Sequence, residues 1–319
     1  MIKIKSEHFN ISQICASGQC FRMEMRENGR YSVIAGERYV EVKQCKEGAV
    51  FYFEEDLNKK ECSKIWPGNI CKEGEREPLE KETASWEMQE FCGFWRQYFD
   101  LETDYAAYME MANPNDAYLM RAIAFGSGMR ILRQDLWEMI VSFLISQQNN
   151  IVRIRRCIHN ICEKYGEERR NFHGEVFYTF PKPEALAGLD ENALMECNLG
   201  YRSKYVVRAA RSVLSGEIDL EAVEGMPYKK AKAELLKLFG VGEKVADCIC
   251  LFALHHLQAF PVDTHIQQAL GAHYKRGFPH RRYGKFQGVI QQYIFYYELC
   301  GEKDGELKRV SRKIDEKQR

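Results

Sequence analysis

The chain contains 319 residues, of which 45% are hydrophobic and 12% aromatic, a composition typical of a folded protein with two or three cores. Its formal net charge of zero gives no indication of a nucleic-acid binder, but the charge is unevenly distributed. Residues 1–115 contain 15 basic and 21 acidic residues, so the rest of the chain is basic. A basic surface of this kind suits a phosphate-bearing partner, and solvated surface charge is the alternative.

The cysteine pattern argues against a metal centre. Twelve cysteines are scattered without a Cys-x-x-Cys pair or the Cys and His spacing of a zinc or iron–sulfur site, so we expect no metal and no cofactor. The first residues lack the apolar region of a secretory leader, and no stretch reaches the ~18 apolar residues of a membrane span. We therefore expect a cytoplasmic protein with reduced thiols and no membrane partner.

The amino-terminal part of the chain predicts β-structure. Short runs rich in β-branched and aromatic residues are separated by glycine and charge, which indicates an antiparallel meander. These runs are Tyr31 to Ile34, Tyr39 to Lys43 and Val50 to Phe53. Before them, Gly18 has the local pattern of an ordinary turn glycine. Residues 56–90 are charged, contain glycine and proline, and are predicted to form connections and exposed segments.

From residue 91 onward the apolar residues follow a helical period. An aromatic stripe comprises Phe91, Phe94, Trp95, Tyr98 and Phe99. Leu136 to Ile145 predicts a strongly apolar helix, which ends at the polar corner Ser146 to Asn150, where amides usually serve as caps. Further helices are predicted from Ile151, from Glu184, from Glu191, around Lys204 to Arg211, over residues 228–239, opening at Lys244, from Thr264 and over residues 284–299.

These patterns predict an α+β fold in three parts. An amino-terminal antiparallel β-sheet domain with a linking helix occupies residues 1–115, and an all-helical domain occupies residues 116–300. The charged tail, residues 301–319, is predicted to be a solvated helix or disordered.

A Gly-x-Gly corner separates two of the predicted helices. Gly240 and Gly242 allow positive φ angles and close backbone approach. Their amides, together with the free N–H groups of the following helix, can form an anion site. Such a hairpin can therefore clamp one phosphate of a nucleic acid, and a plain turn between helices is the alternative.

Lys244 and Asp263 suggest chemistry beside this corner. Lys244 lies in the first turn of a helix, where the macrodipole disfavours a positive charge. An amine kept neutral there can attack a sugar carbon and form a Schiff base, and a solvated or phosphate-binding lysine is the alternative. Asp263 stands at the entrance of a later helix, where a capped carboxylate can stabilise an oxocarbenium-like transition state. A plain N-cap contributing ~1 kcal/mol is the alternative for Asp263.

Taken together, these residues are similar to a known family. The segments Gly240 to Cys248 and Pro261 to His265 resemble the helix-hairpin-helix DNA glycosylase superfamily, and most closely its 8-oxoguanine DNA glycosylase/AP lyase family. Four further blocks resemble that family in the same order. They are Ser17 to Arg22, Arg130 to Asp135, Asn149 to Ile154 and Leu199 to Arg202. The resemblance runs from about residue 9 to residue 299.

The resemblance implies a bifunctional DNA repair glycosylase and AP lyase, with an antiparallel β domain packed on a helical domain that contains the hairpin. It would flip 8-oxoguanine, preferentially opposite cytosine, out of duplex DNA. Lys244 would displace the base through a Schiff base, Asp263 would be the essential carboxylate, and β-elimination would cut the strand. The expected partner is double-stranded DNA containing 8-oxoguanine, bound by a monomer in a prokaryotic nucleoid.

The resemblance also implies roles for individual residues. Gly18 would offer its carbonyl to the N7 hydrogen that 8-oxoguanine has and guanine lacks. The other lesion-base residues are Cys248 and Phe295, which would sandwich the base, Gln291 at its pairing edge, and His265 in support. The DNA-binding residues are Arg153 and Arg202 on the orphaned cytosine, Tyr201 as a wedge, Gln148 and Asn149 at the amide corner, and Gly240 and Gly242 on a phosphate.

Gln148 departs from the family pattern, which has three consecutive asparagines at this corner. Gln148 stands where the first asparagine fills the gap left by the flipped base, so its greater length bears on the strictness of opposite-base choice. Core packing remains the alternative for Phe295.

Two other functions remain open. One is a glycosylase of the same fold for oxidised pyrimidines, resembling endonuclease III. Many such enzymes carry a four-cysteine iron–sulfur site after the catalytic domain, but here Cys300 is the one cysteine past residue 250. The other is a non-catalytic hairpin module that binds DNA, against which the coincidence of Lys244 and Asp263 argues.

Overall fold

The computed structural model describes residues 1–54, 65–66 and 85–301. The predicted tail, apart from its first residue, and most of the connection predicted over residues 56–90 lie outside the described residues. Residues 86–90 are helical, so the prediction of a connection is wrong for that part.

The amino-terminal domain is built on one sheet. Its strands are β1 (Ile2–Lys5), β2 (Met23–Met25), β3 (Tyr31–Ala35), β4 (Arg38–Cys45), β5 (Gly48–Tyr52) and β6 (Ile65–Trp66). They lie in the order β2, β3, β4, β5, β1, β6, and all neighbours are antiparallel except β1 and β6, which are parallel. The predicted meander is confirmed as β3, β4 and β5. The other strands have at most four residues and were not predicted.

One face of this sheet packs on an aromatic helix. The helix consists of α2 (Trp86–Glu90), a π-helical turn (Phe91–Trp95) and α3 (Arg96–Tyr98). The ring of Phe51 on β5 lies 5.1 Å from that of Phe91 and 5.4 Å from that of Phe99. All three rings are fully buried, so the aromatic stripe predicted from the sequence forms the core of this domain.

The second domain consists mainly of helices. They are α4 (Tyr105–Glu110), α5 (Ala117–Gly126), α6 (Leu136–Ser146), α7 (Ile151–Tyr165), α8 (Pro183–Ala187), α9 (Ser203–Leu214), α10 (Leu220–Glu224), α11 (Tyr228–Leu235), α12 (Glu243–Phe252), α13 (Thr264–His273), α14 (His280–Tyr283) and α15 (Gln287–Cys300). The apolar helix α6 is buried along nearly its whole length and contributes to the core of this domain. No helix within residues 1–54 or 85–301 is long and apolar enough to cross a membrane.

The α+β architecture is confirmed with one correction, because the second domain is not all-helical. An antiparallel hairpin of β7 (Glu168–Arg170) and β8 (Val176–Tyr178) follows α7. Its first strand reads Glu-Arg-Arg and lacks the apolar alternation that reveals a strand in a sequence. The helix predicted from Glu191 is a short 3-10 segment, Ala193–Cys197.

The β7–β8 hairpin joins the two domains. His173 at its turn places Nε2 2.9 Å from Oε1 of Glu41 on β4. The Glu41 side chain is fully buried and also pairs with Arg26 and Arg30. Removing a partner from a buried carboxylate leaves an unpaired charge and costs about 3–5 kcal/mol. The charge cluster therefore fixes the hairpin against the sheet.

Candidate active site

The Gly-x-Gly corner lies between α11 and α12. Gly240 has φ +93°, and a Cβ at this residue would lie 2.7 Å from Cγ of Tyr205. Glycine is therefore required at this position for both conformation and space. Gly242 is the N-cap of α12 with φ −101°, and nothing lies within 4 Å of its ideal Cβ position. The positive φ angle that the sequence allowed for both glycines occurs at Gly240 and not at Gly242.

Lys244 is half-buried in the first turn of α12, and its Nζ lies 5.5 Å from the centroid of the Phe143 ring. One turn later, Cys248 is buried beside the amine. Burial raises the pKa of the Cys248 thiol to about 11, and the positive charge of Lys244 offsets this in part. Cys248 is therefore a neutral thiol at pH 7 and does not compete with the amine as a nucleophile.

Asp263 is the N-cap of α13, as predicted. Its Oδ1 accepts a hydrogen bond from the backbone N–H of Ile266 at 2.8 Å. Oδ2 makes no hydrogen bond with any residue that the structure describes. The carboxylate also acts electrostatically on the Cys248 thiol and raises its pKa further. Lys244 and Asp263 therefore both act on the Cys248 thiol, although nineteen positions separate them in the chain.

Gly18 and Phe295 lie together although they are at opposite ends of the chain. Gly18 has φ +73°, and a Cβ at this residue would lie 3.2 Å from Cε1 of Phe295 and 3.7 Å from Cδ1 of Ile151. Phe295 is half-buried on α15, and its ring lies 6.0 Å from the exposed His265 imidazole in an edge-on arrangement. Three of the predicted lesion-base residues thus form one group.

Gln291 lies one turn before Phe295 and is buried. Its Nε2 donates to the backbone carbonyl of Pro261 at 3.1 Å, whereas Oε1 has no partner among the described residues. A buried acceptor without a partner costs about 1–3 kcal/mol. A ligand that donates a hydrogen bond at this position would remove that cost. Gln292, which the sequence analysis missed, donates to the carbonyl of Ser17 at 2.6 Å and so supports the backbone beside Gly18.

Gln19 fixes the other side of Gly18. Its Nε2 donates to the carbonyl of Arg130 at 2.9 Å, and its Oε1 accepts from the N–H of Leu132 at 2.8 Å. The side chain of Gln134 donates to the carbonyl of Gln19 at 2.8 Å. These hydrogen bonds join two blocks that are separate in the sequence, Ser17 to Arg22 and Arg130 to Asp135. The two blocks are therefore one structural unit.

The two predicted cytosine-binding arginines differ in their surroundings. Arg153 is exposed in the first turn of α7, and its Nη2 lies 3.5 Å from the carbonyl of Asn198. Arg202 is 4% exposed and donates to the carbonyls of Gln147 and Gln148. In this structure the guanidinium of Arg202 supports the amide corner. Sequence reasoning had no means of distinguishing a buried arginine from an exposed one.

The amide corner contains both caps and exposed groups. Asn150 caps α7, and Nδ2 of Asn149 donates to the carbonyl of Ile145 at 3.1 Å. Gln148 is exposed with φ +48°, and its Oε1 lies 3.5 Å from the hydroxyl of Tyr201, which is 46% exposed. Gln147 was not predicted, because its pattern is that of a polar loop residue.

Two known family models match consecutive parts of this chain. A family model described as "8-oxoguanine DNA glycosylase, N-terminal domain" matches residues 1–140, and one described as "HhH-GPD superfamily base excision DNA repair protein" matches residues 141–278. The apo-form 8-oxoguanine glycosylase/lyase of Clostridium acetobutylicum is 35% identical, with a TM-score of 0.76, over 92% of this chain and 94% of that chain. The chain belongs to the 8-oxoguanine DNA glycosylase family.

This chain is also similar to a DNA-bound 8-oxoguanine glycosylase/lyase and to a probable N-glycosylase/DNA lyase. The Clostridium acetobutylicum enzyme in complex with double-stranded DNA containing cytosine opposite 8-oxoguanine is 34% identical, with a TM-score of 0.75, over 91% of this chain and 92% of that chain. A probable N-glycosylase/DNA lyase of Methanothermobacter thermautotrophicus is 33% identical over 227 residues, which are 62% of this chain and 70% of that protein. The family resemblance stated from the motifs is confirmed.

Proposed function

We propose that this protein is a bifunctional DNA glycosylase and AP lyase that excises 8-oxoguanine opposite cytosine from duplex DNA. The observation that supports this function best is that Lys244, in the first turn of α12, and the Asp263 carboxylate, which caps α13, both act electrostatically on the buried thiol of Cys248. An amine and a capped carboxylate around one thiol are the groups required to displace a base from a sugar and to retain the sugar covalently.

Each group has a defined part in the proposed reaction. As the glycosidic bond lengthens, positive charge develops on the sugar and the Asp263 carboxylate stabilises it. The Nζ of Lys244 attacks C1′ and loses a proton, the base leaves with the bonding electrons and takes up a proton, and the amine becomes a Schiff base as the sugar ring opens. Loss of a C2′ proton then expels the 3′ phosphate by β-elimination. Water hydrolyses the Schiff base and regenerates Lys244.

The group around Gly18 is proposed to select the lesion. The Gly18 carbonyl would accept the N7 hydrogen of 8-oxoguanine, and guanine would be rejected because it presents an acceptor there. The unpartnered Oε1 of Gln291 would accept from the N–H donors at the pairing edge of the base. Cys248 and Phe295 would enclose the two faces of the base, and His265 would support the ring of Phe295.

A second group is proposed to hold the duplex. Tyr201 would wedge the stack, with Gln148 and Asn149 beside it, and Gly240 and Gly242 would bind a phosphate. Arg153 is exposed and would bind the orphaned cytosine directly. Arg202 would hold the amide corner. Its guanidinium would bind the cytosine after releasing the backbone carbonyl of Gln148. The protein is proposed to act as a monomer in a prokaryotic cytoplasm.

Borohydride trapping tests the proposed chemistry. Wild-type protein mixed with duplex DNA carrying 8-oxoguanine should give a covalent complex, because borohydride reduces the Schiff base. Lys244→Gln should give none, Asp263→Asn should give much less, and Lys43→Gln on the distant sheet should match wild type. No complex with wild-type protein, or equal yields with Lys244→Gln, would contradict the proposal. Duplexes with each of the four bases opposite the lesion would test the choice of cytosine.

A further inference from the structure

The chain lacks acidic residues over a long carboxy-terminal segment. Between Thr264 and Tyr297 there is no Asp or Glu, although the whole chain contains 46 acidic residues. Within this segment five cationic side chains fall close together. They are Lys275, Arg276, Arg281, Arg282 and Lys285, which we call the 275–285 cationic surface. This local excess of positive charge occurs in a chain whose formal net charge is zero.

All five side chains of the 275–285 cationic surface are exposed. None of them forms an ion pair with a carboxylate of the residues that the structure describes. Arginine and lysine elsewhere are often paired. Arg208, for example, lies 2.8 Å from Glu191, and Lys232 lies 2.8 Å from Asp247. Unpaired like charges close together repel one another, and a polyanion relieves that repulsion.

The cationic surface borders the loop that leads to Asp263. The rings of Phe278 and His280 lie 4.9 Å and 5.0 Å from the ring of Phe260, which precedes Asp263 by three residues. The side chain of Gln287 donates to the carbonyl of Gln258 in the same loop at 2.6 Å. The segment that carries the cationic side chains is therefore packed on the loop that presents the carboxylate.

Helix electrostatics explain part of this charge. Lys275 and Arg276 directly follow the carboxy terminus of α13, where the macrodipole favours positive charge. Arg281 and Arg282 lie in the last turn of α14 and Lys285 follows it, but this helix has only four residues, so its macrodipole is too small to account for three charges. A second reason is needed for these three charges.

We propose that the 275–285 cationic surface binds the phosphate backbone of duplex DNA flanking the flipped nucleotide. This inference rests on the proposed function, because it takes its partner from the duplex that would lie against Asp263. Duplex DNA presents one negative charge for about every 1.7 Å of its length, so a group of exposed arginine and lysine side chains can bind it without reading sequence. The surface would extend the footprint of the protein along the duplex beyond the residues that contact the lesion.

The salt dependence of DNA binding tests this inference. Affinity for a lesion-free duplex of at least two helical turns is measured across a range of salt concentrations for wild type, for Arg281→Ala/Arg282→Ala, and for Lys43→Ala/Lys46→Ala. The control removes the same charge from exposed positions on the amino-terminal sheet. Each lost phosphate contact lowers the magnitude of the slope of log affinity against log salt by about 0.9, so the arginine variant should lose about 1.8 and the control nothing.

If log affinity falls with log salt at the same slope for Arg281→Ala/Arg282→Ala as for wild type or the control, the inference is wrong. A protein partner would then be the alternative occupant of this surface. Melting temperatures equal to that of wild type would show that the exposed substitutions leave the fold intact. The two proposals can fail separately. If borohydride traps no wild-type complex but the salt slopes differ, the proposed lyase reaction is wrong and the proposed DNA-binding surface is retained. If trapping succeeds and the salt slopes agree, the proposed DNA-binding surface is wrong and the proposed lyase reaction is retained.

Discussion

The side-chain Nε2 of Gln147 donates a hydrogen bond to the backbone carbonyl of Gly240 at 3.0 Å. The backbone carbonyl of the same glutamine accepts from the buried guanidinium of Arg202. Gln147 thus connects the amide corner, the arginine beside Tyr201, and the hairpin that precedes Lys244. The elements proposed to hold the undamaged strand and the helix that carries the proposed nucleophile are joined through Gln147.

Replacing Gln147 should therefore weaken this connection. Gln147→Leu leaves the Gly240 carbonyl without its side-chain partner, a loss of about 0.5–1.5 kcal/mol for one hydrogen bond. We expect the rate of trapping with 8-oxoguanine opposite cytosine to fall about tenfold or less, and the preference for cytosine to become smaller. Ser146→Ala is the control, because the Ser146 hydroxyl bonds locally to the carbonyl of Phe143. Equal opposite-base preference in Gln147→Leu and wild type would contradict the coupling.

The two hairpin glycines should differ in their tolerance of alanine. Gly240→Ala places a Cβ 2.7 Å from Cγ of Tyr205 at a φ angle of +93°, so we expect a loss of more than about 1 kcal/mol in the free energy of unfolding. Gly242→Ala has an ordinary φ angle and open space, so its stability should stay within about 0.5 kcal/mol of wild type. Urea unfolding of both variants measures the difference. Equal stabilities would show that the hairpin relaxes around Gly240.

Gly18→Ala should impair lesion excision more than strand cutting. The added Cβ would lie 3.2 Å from Phe295 and would strain a backbone at φ +73°, which displaces the carbonyl proposed to read 8-oxoguanine. We expect excision of 8-oxoguanine to fall at least tenfold while cleavage at a preformed abasic site stays within about threefold of wild type, because Lys244 and Asp263 are untouched. Gly36→Ala has a similar φ angle of +58° with no neighbour within 4 Å and serves as the control. Parallel loss of both activities would argue against a lesion-specific role.

Glu138 should make stability depend on pH. Burial raises the pKa of Glu138 from 4.5 to about 7, and the Arg22 guanidinium at 3.4 Å offsets this in part. Because the folded protein holds the proton more tightly than the unfolded chain, this contribution to stability is complete below pH 4.5 and is lost as the pH rises to about 7. The contribution is at most about 3 kcal/mol.

Substitution at Glu138 isolates this contribution. Glu138→Gln should flatten the dependence of the free energy of unfolding on pH between about 4.5 and 7, because glutamine does not titrate. Glu163→Gln, at an exposed position of α7, should leave the curve unchanged. Urea unfolding at several pH values measures each curve. A curve for Glu138→Gln that parallels wild type would show that the carboxylate stays ionised in the folded protein.

The sequence predicted those features that obey local rules. The buried aromatic stripe, the apolar helix α6 and the cap Asp263 each follow from the spacing of residues within one or two turns. The β7–β8 hairpin escaped detection because its first strand is charged, and it is attached to the sheet by the pair of His173 and Glu41. That pair joins residues 132 positions apart and has no local pattern.

The site divides in the same way. Lys244 and Asp263 could be singled out because they lie in one short stretch of the sequence, in which each stands at the start of a predicted helix. The unpartnered oxygen of Gln291, the bridge made by Gln147 and the burial of Arg202 depend on which chain segments meet in space. No spacing rule distinguishes these side chains from ordinary polar residues.

The hydrogen bonds of Gln19 have a consequence for fidelity. They attach the backbone of Gly18 to residues 130–134, so the carbonyl proposed to check the base depends on the junction of sheet and helices. Lys244 and Asp263 lie within the helical domain, and the same block reaches α12 only at its far end, where the backbone N–H of Gln134 donates to the carbonyl of Phe252 at 3.0 Å. Loosening of the sheet would therefore act on Gly18, the residue proposed to check the base, through the neighbouring Gln19, and on Lys244 through the length of α12. We therefore expect docking of the amino-terminal domain to protect normal guanine, because it holds the carbonyl proposed to reject that base.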